Sequence, residues 1–346
     1  MHTTLTLLLA LTSPLLAQDT SVPSPAAELQ ALAPLVGSWD GKGAVVMAAG
    51  DDAGLPWTAT IDAEWVLGGH ALREVTHVDF GGAFAPMTMD TLYTFDRGAG
   101  RLAQVTASSM GGLEVAELVH SPAPGTLVIV SATMAEGAAL VDRTTLTFTG
   151  DSLRYAMTRT SDAGAPFDHV TGTFARRTDG KRPVSAGAKR AETLAAELQP
   201  LKPFVGTYSI VGSWSPAPGA PAMAIRAVDE VTPVLGGQAL AIATKGDAEG
   251  SPFVYEGLSW IAWNAAEGTF HQAWADNMGM SGHAALRAVG DGAFVSVTTG
   301  VEAGVPYTDR NVVRCEGGKL AHARTERLSG TAPAAVLFEA KYTAKD

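Results

Sequence analysis

Short segments in which apolar and polar side chains alternate recur along most of the chain. In SLRYAMTRT, for example, Leu153, Tyr155 and Met157 are separated by Arg154 and Ala156, which is the two-residue period of a strand with two distinct faces. These segments are rich in β-branched and aromatic residues, and Gly, Asp or Asn turn signals separate them every ~10 residues. Regular short strands without long helices between them predict an all-β fold, either a closed antiparallel barrel or a sandwich.

The N-terminus has a different pattern, a single apolar run. Residues 5–16 read LTLLLALTSPLL, which is too short to cross a bilayer, and Ala17 follows as a small residue suited to cleavage. No Lys or Arg precedes the run. We interpret residues 1–17 as a signal peptide, which predicts a secreted or periplasmic protein. The alternative is an apolar N-terminal helix that is retained in the fold.

An internal duplication organises the rest of the chain. Four segments recur in the same order at a nearly constant spacing of 167 to 169 residues: 28–37 with 197–206 (ELQALAPLVG, ELQPLKPFVG), 66–72 with 234–240 (VLGGHAL, VLGGQAL), 104–111 with 272–279 (QVTASSMG, QAWADNMG), and 142–143 with 309–310 (both Asp-Arg). Such a series indicates two diverged copies of one domain.

The copies define the predicted domains. The first runs over residues 28–177 and the second over residues 196–346, each close to the usual size of a single domain. Residues 178–195 are rich in small, basic and loop-favouring residues and are predicted to form a linker, although its second half, with residues 191–201, has the pattern of a helix that opens the second copy. One short helix followed by many strands favours a barrel in each copy.

Composition narrows the function. The net charge of −11 gives no attraction for a polyanion or for anionic lipid, so we predict no nucleic-acid partner, and no later segment is apolar for long enough to span a membrane. Apolar residues make up 46% of the chain, enough for two cores. Cys315 is the only cysteine, so no intrachain disulfide can form.

The ordered motifs are similar to those of a bacterial family known as domain of unknown function 1579. The second copy carries them as LKPFVG (201–206), VLGGQAL (234–240), FVYEGLSWIAWN (253–264) and WADNMG (274–279), and the first as LVGSW (35–39), VLGG (66–69), LYTFD (92–96) and SSMG (108–111). The family resembles the calycins, so the resemblance implies two tandem lipocalin-like antiparallel β-barrels, each opened by a short helix. It also implies that Trp39 closes one barrel end, as in the lipocalin Gly-x-Trp turn, where the second copy has Tyr208.

Candidate ligand contacts occur in the second copy. Gln272, Trp274 and Asp276 share one strand face and, inside a barrel, would point into the lumen, where Trp offers a stacking plane and Asp a hydrogen-bond acceptor. The first copy lacks this Trp and Asp. Arg310, from the repeated Asp-Arg pair, would cap the lumen or pair with a carboxylate. The structural alternative is a Trp that closes the barrel end and an Asp276–Arg310 cross-strand pair.

The sequence shows no catalytic constellation. It has no nucleophile elbow, phosphate loop or His-Glu-x-x-His, and no two of its eight histidines have the i, i+4 spacing of a helical zinc site. Distant nitrobindin-like barrels hold haem by an axial histidine, and His169 and His322 lie in late segments where one could act so. No histidine recurs in both copies, however, and we predict no metal and no cofactor.

Together these features predict an exported, non-enzymatic protein that binds a small apolar or amphipathic ligand through Gln272, Trp274, Asp276 and Arg310. Two alternatives stay open. One is a structural or protein-interaction module of the cell envelope with filled barrels, and the other is a haem-dependent barrel enzyme.

Overall fold

A computed structural model of the chain describes most of its length. The described residues are 24–51, 54–97, 99–116, 118–135, 138–161, 164–178, 190–250, 254–290, 292–302, 305–330 and 333–345. The proposed export signal, residues 1–17, and most of the predicted linker lie outside them.

The first copy forms a closed antiparallel barrel that a 3-10 helix, Ala27–Leu35, precedes. Its strands are β1 Gly37–Val45, β2 Leu55–Val66, β3 Ala71–Asp79, β4 Met87–Asp96, β5 Arg101–Ser108, β6 Leu113–Val115, β7 Leu118–Ala123, β8 Thr126–Ala135, β9 Ala138–Thr149, β10 Ser152–Ser161 and β11 Phe167–Arg176. Sequential strands pair with one another except β6 and β7, which both pair with β5, and the pairing of β1 with β11 closes the barrel.

The second copy repeats this path and also begins with a 3-10 helix, Ala196–Phe204. Its ten strands are β12 Gly206–Trp214, β13 Met223–Val234, β14 Ala239–Ala248, β15 Tyr255–Asn264, β16 Thr269–Asp276, β17 Ser281–Ala288, β18 Ala293–Glu302, β19 Val305–Glu316, β20 Lys319–Ser329 and β21 Ala335–Ala344. The pairing of β12 with β21 closes the barrel. A single strand, β17, stands where the first copy has both β6 and β7.

The predicted all-β class and the tandem barrels are confirmed. The opening helix of the second copy begins at Ala196, five residues later than the sequence pattern indicates. The reason is that the preceding segment is tied to the barrel: the amide of Ala191 donates to the carbonyl of Pro233, and the amide of Ala195 donates to that of Gly237. Those amides therefore satisfy barrel carbonyls instead of forming a helical turn.

One aromatic residue anchors the opening helix in each copy. In the first, the indole Nε1 of Trp39 donates to the carbonyl of Leu35 at 2.8 Å, and in the second the hydroxyl of Tyr208 donates to that of Pro203 at 2.7 Å. Both side chains are fully buried. A phenol and an indole can each satisfy a carbonyl at the end of a helix, which explains why Tyr replaces Trp without loss of the anchor.

An apolar interface joins the outer walls of the two barrels. It consists of residues at equivalent positions, 168 apart, so the same wall of each copy is used: Leu67 with Leu235, Ala71 with Ala239, Leu92 with Trp260, and Ala107 with Ala275. The contacts are reciprocal, because β4 packs against β17 while its counterpart β15 packs against β6. This reciprocity is the arrangement of an isologous two-fold dimer interface within one chain.

The Leu-Gly-Gly turns lie at this interface. Leu67 and Leu235 both have φ of 54°, a left-handed conformation that residues with a β-carbon rarely adopt. Both leucines are buried, at 7% and 2% exposure. The recurrence of the same strained turn in both copies indicates that burial of the leucine in the interface offsets its backbone cost.

Candidate functional site

The second barrel contains a cavity of about 350 Å³ that is partly open to solvent. Near the opening helix its lining is apolar, where Phe204, Val231, Leu286 and Leu320 lie, and Phe204 closes that end by packing edge-on against Phe294 at 5.0 Å between ring centroids. Other parts of the lining are polar and aromatic. The cavity therefore offers an apolar end and a set of hydrogen-bonding groups in the same space.

Two of the four sequence-predicted contacts line this cavity. The amide Nε2 of Gln272 donates to the hydroxyl of Ser259 at 3.1 Å, and the indole of Trp274 lies beside it along β16. A glycine supports the indole, since a β-carbon at Gly282 would lie 2.5 Å from the Trp274 ring. Gly282 on the paired strand β17 is thus part of the site, and its role becomes visible only in the register of the two strands.

Asp276 lies at the end of β16, buried but not on the cavity wall. Its Oδ1 accepts hydrogen bonds from the amides of Met278 and Met280, both at 2.9 Å, and its Oδ2 lies 3.4 Å from the hydroxyl of Tyr255, which does line the cavity. Burial raises the pKa of Asp276 to about 6, although these hydrogen bonds oppose the shift. Asp276 therefore does not contact the cavity itself, and its link to the cavity is the hydroxyl of Tyr255.

The structure does not bring Arg310 to the cavity. Arg310 points outward, half exposed, with Nη1 3.5 Å from the Glu326 carboxylate. Its neighbour Asp309 points inward and makes two hydrogen bonds of 2.7 Å with Arg327, whose guanidinium lies 3.8 Å from the ring centroid of Tyr307. The alternative Asp276–Arg310 pair is not formed either, because Arg310 is on the opposite face of β19.

The recurring Asp of the Asp-Arg motif has the same partner in both copies. In the first barrel, Asp142 makes the matching two-pronged pair with Arg159, at 2.8 and 2.7 Å. Arg159 and Arg327 are themselves 168 residues apart, so both members of the ion pair follow the repeat. The motif thus marks an inward ion pair between neighbouring strands, and its Arg is not the partner.

Asp229 on β13 is a cavity residue that sequence reasoning missed. It is 7% exposed, and its Oδ1 accepts a hydrogen bond of 2.7 Å from the hydroxyl of Thr244. Among the described residues no group donates to its Oδ2. Burial raises the pKa of Asp229 to about 6, which the Thr244 hydrogen bond partly opposes. The signal in the sequence was a carboxylate where the first copy has the apolar Ile61, 168 positions earlier.

The cavity has no basic lining. Asp229 is its only charged residue among the described residues that line it, and no Lys, Arg or His is among them. The hydroxyls of Tyr255 and Tyr342 also line the cavity, and burial raises the pKa of both phenols well above the usual range, so they stay protonated. The enclosed groups are therefore one carboxyl group and several neutral donors and acceptors.

At three corresponding positions of the lumen the first barrel has a larger or more polar side chain than the second. Within it, the Glu74 carboxylate accepts hydrogen bonds from the hydroxyls of Thr76 at 2.7 Å and Tyr93 at 3.1 Å, and burial raises the pKa of Glu74. The corresponding residues of the two barrels are Glu74 and Ile242, Tyr93 and Ile261, and Tyr155 and Ala323, each pair 168 positions apart. The second lumen is wider at these points because its side chains are shorter.

The two histidines considered for haem lie apart from the cavity. His169 is buried at an irregularity of β11 in the first barrel, and its Nδ1 is 2.6 Å from the carbonyl of Val46. Burial lowers its pKa. His322 contacts Glu339 at 3.3 Å on β21, next to an ion pair of Arg324. Each of them is already engaged by the protein itself.

In the part of the chain that the structure describes, no helix has the length and apolar character needed to cross a membrane.

Comparison with known proteins gives a family match for part of the second copy. The model of the family described as "Protein of unknown function (DUF1579)" matches residues 193–286, a region that contains β16 and Trp274. No curated protein matches the chain. The description of this family assigns no activity, and the match does not extend to the first copy.

Three solved structures illustrate the matches to this chain. Rv2717c from M. tuberculosis is 20% identical with a TM-score of 0.34, and the match covers 44% of this chain and 99% of that one. A protein of unknown function from the DUF3598 family of Nostoc punctiforme is 8% identical with a TM-score of 0.27, covering 92% and 100%. A putative AttH from Nitrosomonas europaea is 8% identical with a TM-score of 0.15, covering 88% and 92%.

Proposed function

We propose that the second barrel binds a small amphipathic molecule in its lumen and that the first barrel is its structural partner. The observation that carries this proposal is the lumen cavity of about 350 Å³, a volume within the range of small-molecule sites. An apolar end beside Phe204 and a few polar groups elsewhere are the usual composition of such a site. The first barrel contributes the apolar interface that supports the wall formed by β15 and β16.

The proposed site keeps Gln272, Trp274 and Asp276 from the sequence prediction and adds Tyr255. Trp274 supplies a flat apolar surface, and Gln272 supplies an amide oxygen and a donor that is shared with Ser259. Asp276 acts through Tyr255 as a positioning residue, because its carboxylate holds the phenol hydroxyl. Arg310 takes no part in the proposed site.

The test uses the full chain purified from its natural source and native mass spectrometry. We expect extra mass that denaturation releases. An Ala323→Tyr variant, which places in the second barrel the residue found at the equivalent position of the first, should lose that mass because the phenol fills the lumen. Ala224→Tyr is the matched control, since Ala224 is exposed on β13 and the same change there should leave the bound mass unaltered.

The outcomes separate the candidate functions. Equal bound mass in the Ala323→Tyr and Ala224→Tyr proteins would place any ligand outside the lumen and overturn the proposal. Unliganded chains from the natural source that also bind no member of a broad panel of small amphipathic molecules would favour the interaction module. A Soret band in the absorbance spectrum would instead favour the haem-dependent alternative.

We also propose that residues 1–17 direct export, on the basis of their apolar run and the small residue that ends it. The test is the N-terminal sequence of the mature protein from its natural source. A chain that begins shortly after Ala17 supports export, and a chain that retains residues 5–16 contradicts it.

A further inference from the structure

We propose that the ligand of the second barrel is an apolar molecule with a protonated amine, and that Asp229 is the carboxylate that pairs with the amine. This inference rests on the proposed binding function and names the chemical class that the site would select. It depends on the surroundings of one carboxylate, on the rings around it and on the charges that the cavity lacks.

One oxygen of Asp229, Oδ2, accepts no hydrogen bond from the described residues. Asp229 lies on the cavity wall and is 7% exposed. The hydroxyl of Thr244 donates a hydrogen bond to its Oδ1 only. A carboxylate oxygen can accept two hydrogen bonds, so Oδ2 is free to bind a donor that enters the cavity. A ligand in the cavity with N–H groups would supply the donors that the described residues do not.

The charge of Asp229 has no counter-charge in the described lining of the cavity, where no basic side chain offsets it. The groups that interact with it are the neutral hydroxyls of Thr244, Tyr255 and Tyr342. An isolated buried charge is strongly unfavourable unless a counter-charge joins it. An ammonium group would be that counter-charge, whereas a carboxylate ligand, such as a fatty acid, would add repulsion.

A set of aromatic rings lies around the same space. Trp274, Tyr255 and Tyr342 line the cavity together with Asp229. The faces of such rings attract cations, and the attraction is larger in a desolvated site. The apolar end of the cavity lies next to Phe204, so the hydrocarbon part of the ligand can be buried there, away from Asp229.

The experiment compares three probes that share one skeleton: phenylbutylamine, phenylbutanol and phenylbutyrate. Binding to the full chain is measured by titration calorimetry at neutral pH. A charge-assisted hydrogen bond to a buried carboxylate should make the amine bind about tenfold or more tighter than the alcohol. The carboxylate should bind most weakly.

Asp229→Asn tests the assigned residue. The amide retains an oxygen for the Thr244 hydroxyl, so the variant should fold, and we expect it to abolish the preference for the amine while binding of the alcohol changes little. Glu230→Gln is the matched control: it removes one negative charge from the adjacent, exposed position of β13 and should preserve the preference.

The outcomes distinguish this inference from the function on which it rests. If all three probes bind equally, or if Asp229→Asn keeps the preference for the amine, the inference is overturned and the lumen remains a binding site. If none of the three binds and the protein from its natural source carries no extra mass, the binding function itself fails.

Discussion

Tyr155 of the first barrel and Ala323 of the second occupy the same position of the barrel wall. Each faces the equivalent residue of the preceding strand, Leu146 for Tyr155 and Val313 for Ala323. Tyr155 packs against the core of its barrel, whereas Ala323 lines the cavity. One difference between a phenol and a methyl group therefore accounts for part of the contrast between the two lumens.

The first prediction is that Tyr155→Ala destabilises the chain by about 3 kcal/mol, because it removes a large packed ring and leaves a cavity. Chemical denaturation monitored by circular dichroism measures the change. Tyr155→Phe keeps the ring and should lower the free energy of unfolding by only about 1 kcal/mol, because it removes the hydrogen bond with Thr144 alone. Equal losses in the two variants would mean that the ring does not pack as the structure shows.

The second prediction concerns the stability of the unliganded chain with pH. Because burial raises the pKa of Asp229 to about 6, the folded protein holds this proton more tightly than the unfolded chain does. The resulting stability is present below the unfolded pKa near 4 and is lost as the pH rises through about 6. Asp229→Asn should therefore match the wild type near pH 4 and exceed it by up to ~3 kcal/mol near pH 8.

Denaturation curves of the two proteins at both pH values test this sign. Taking the difference between the proteins removes the contribution of the other carboxyl groups, including Asp276, whose pKa is raised for the same reason. A stability difference that is the same at both pH values would show that Asp229 does not titrate differently on folding.

The third prediction is that the interface holds the barrels together without the linker. A specific protease site introduced between residues 178 and 190 should give two fragments that elute as one species in size-exclusion chromatography. Trp260→Asp should separate them, because Trp260 is 3% exposed in the apolar interface and a buried carboxylate there has no partner. Val297→Asp is the control at an exposed position, at 51% exposure. Fragments that separate without any substitution would contradict the prediction.

The fourth prediction concerns the inward ion pair of the second barrel. Asp309→Ala should destabilise the chain by about 3–5 kcal/mol, because it leaves the largely buried guanidinium of Arg327 without its carboxylate. Combining Asp309→Leu with Arg327→Met should recover most of the loss. Glu256→Gln, which breaks the exposed pair with Lys245, should cost less than ~1 kcal/mol. Thermal and chemical unfolding of the four proteins would show whether this order holds.

The strand periodicity was enough to predict the all-β class, because it is a local pattern, and the repeat predicted two copies. The choice of a barrel over a sandwich came from the opening helix and from the family resemblance. The same two-residue period correctly placed Gln272 and Trp274 together, since both lie within β16. At Asp276 the strand ends, and the amides of Met278 and Met280 determine where the carboxylate points. Periodicity carries no information about that turn.

Other parts of the site depended on the pairing of distant strands. Asp309 forms its ion pair with Arg327 and not with its neighbour Arg310. This pair requires the register in which Asp309 on β19 lies opposite Arg327 on β20. Asp229 becomes a cavity residue only when β13 curves to enclose the lumen with the other strands. A single sequence gives the direction of each side chain along its own strand but not the groups that it meets across the barrel.

The reciprocal interface has a consequence for how this chain can vary. In a dimer of identical subunits, every substitution appears twice, so a change that suits one lumen is imposed on the other as well. Here each copy has its own codons, so one lumen holds Ala323 and the other holds Tyr155 at the same position. The shared wall of Leu92 and Trp260 ties the barrels together, and the interiors behind that wall are free to diverge.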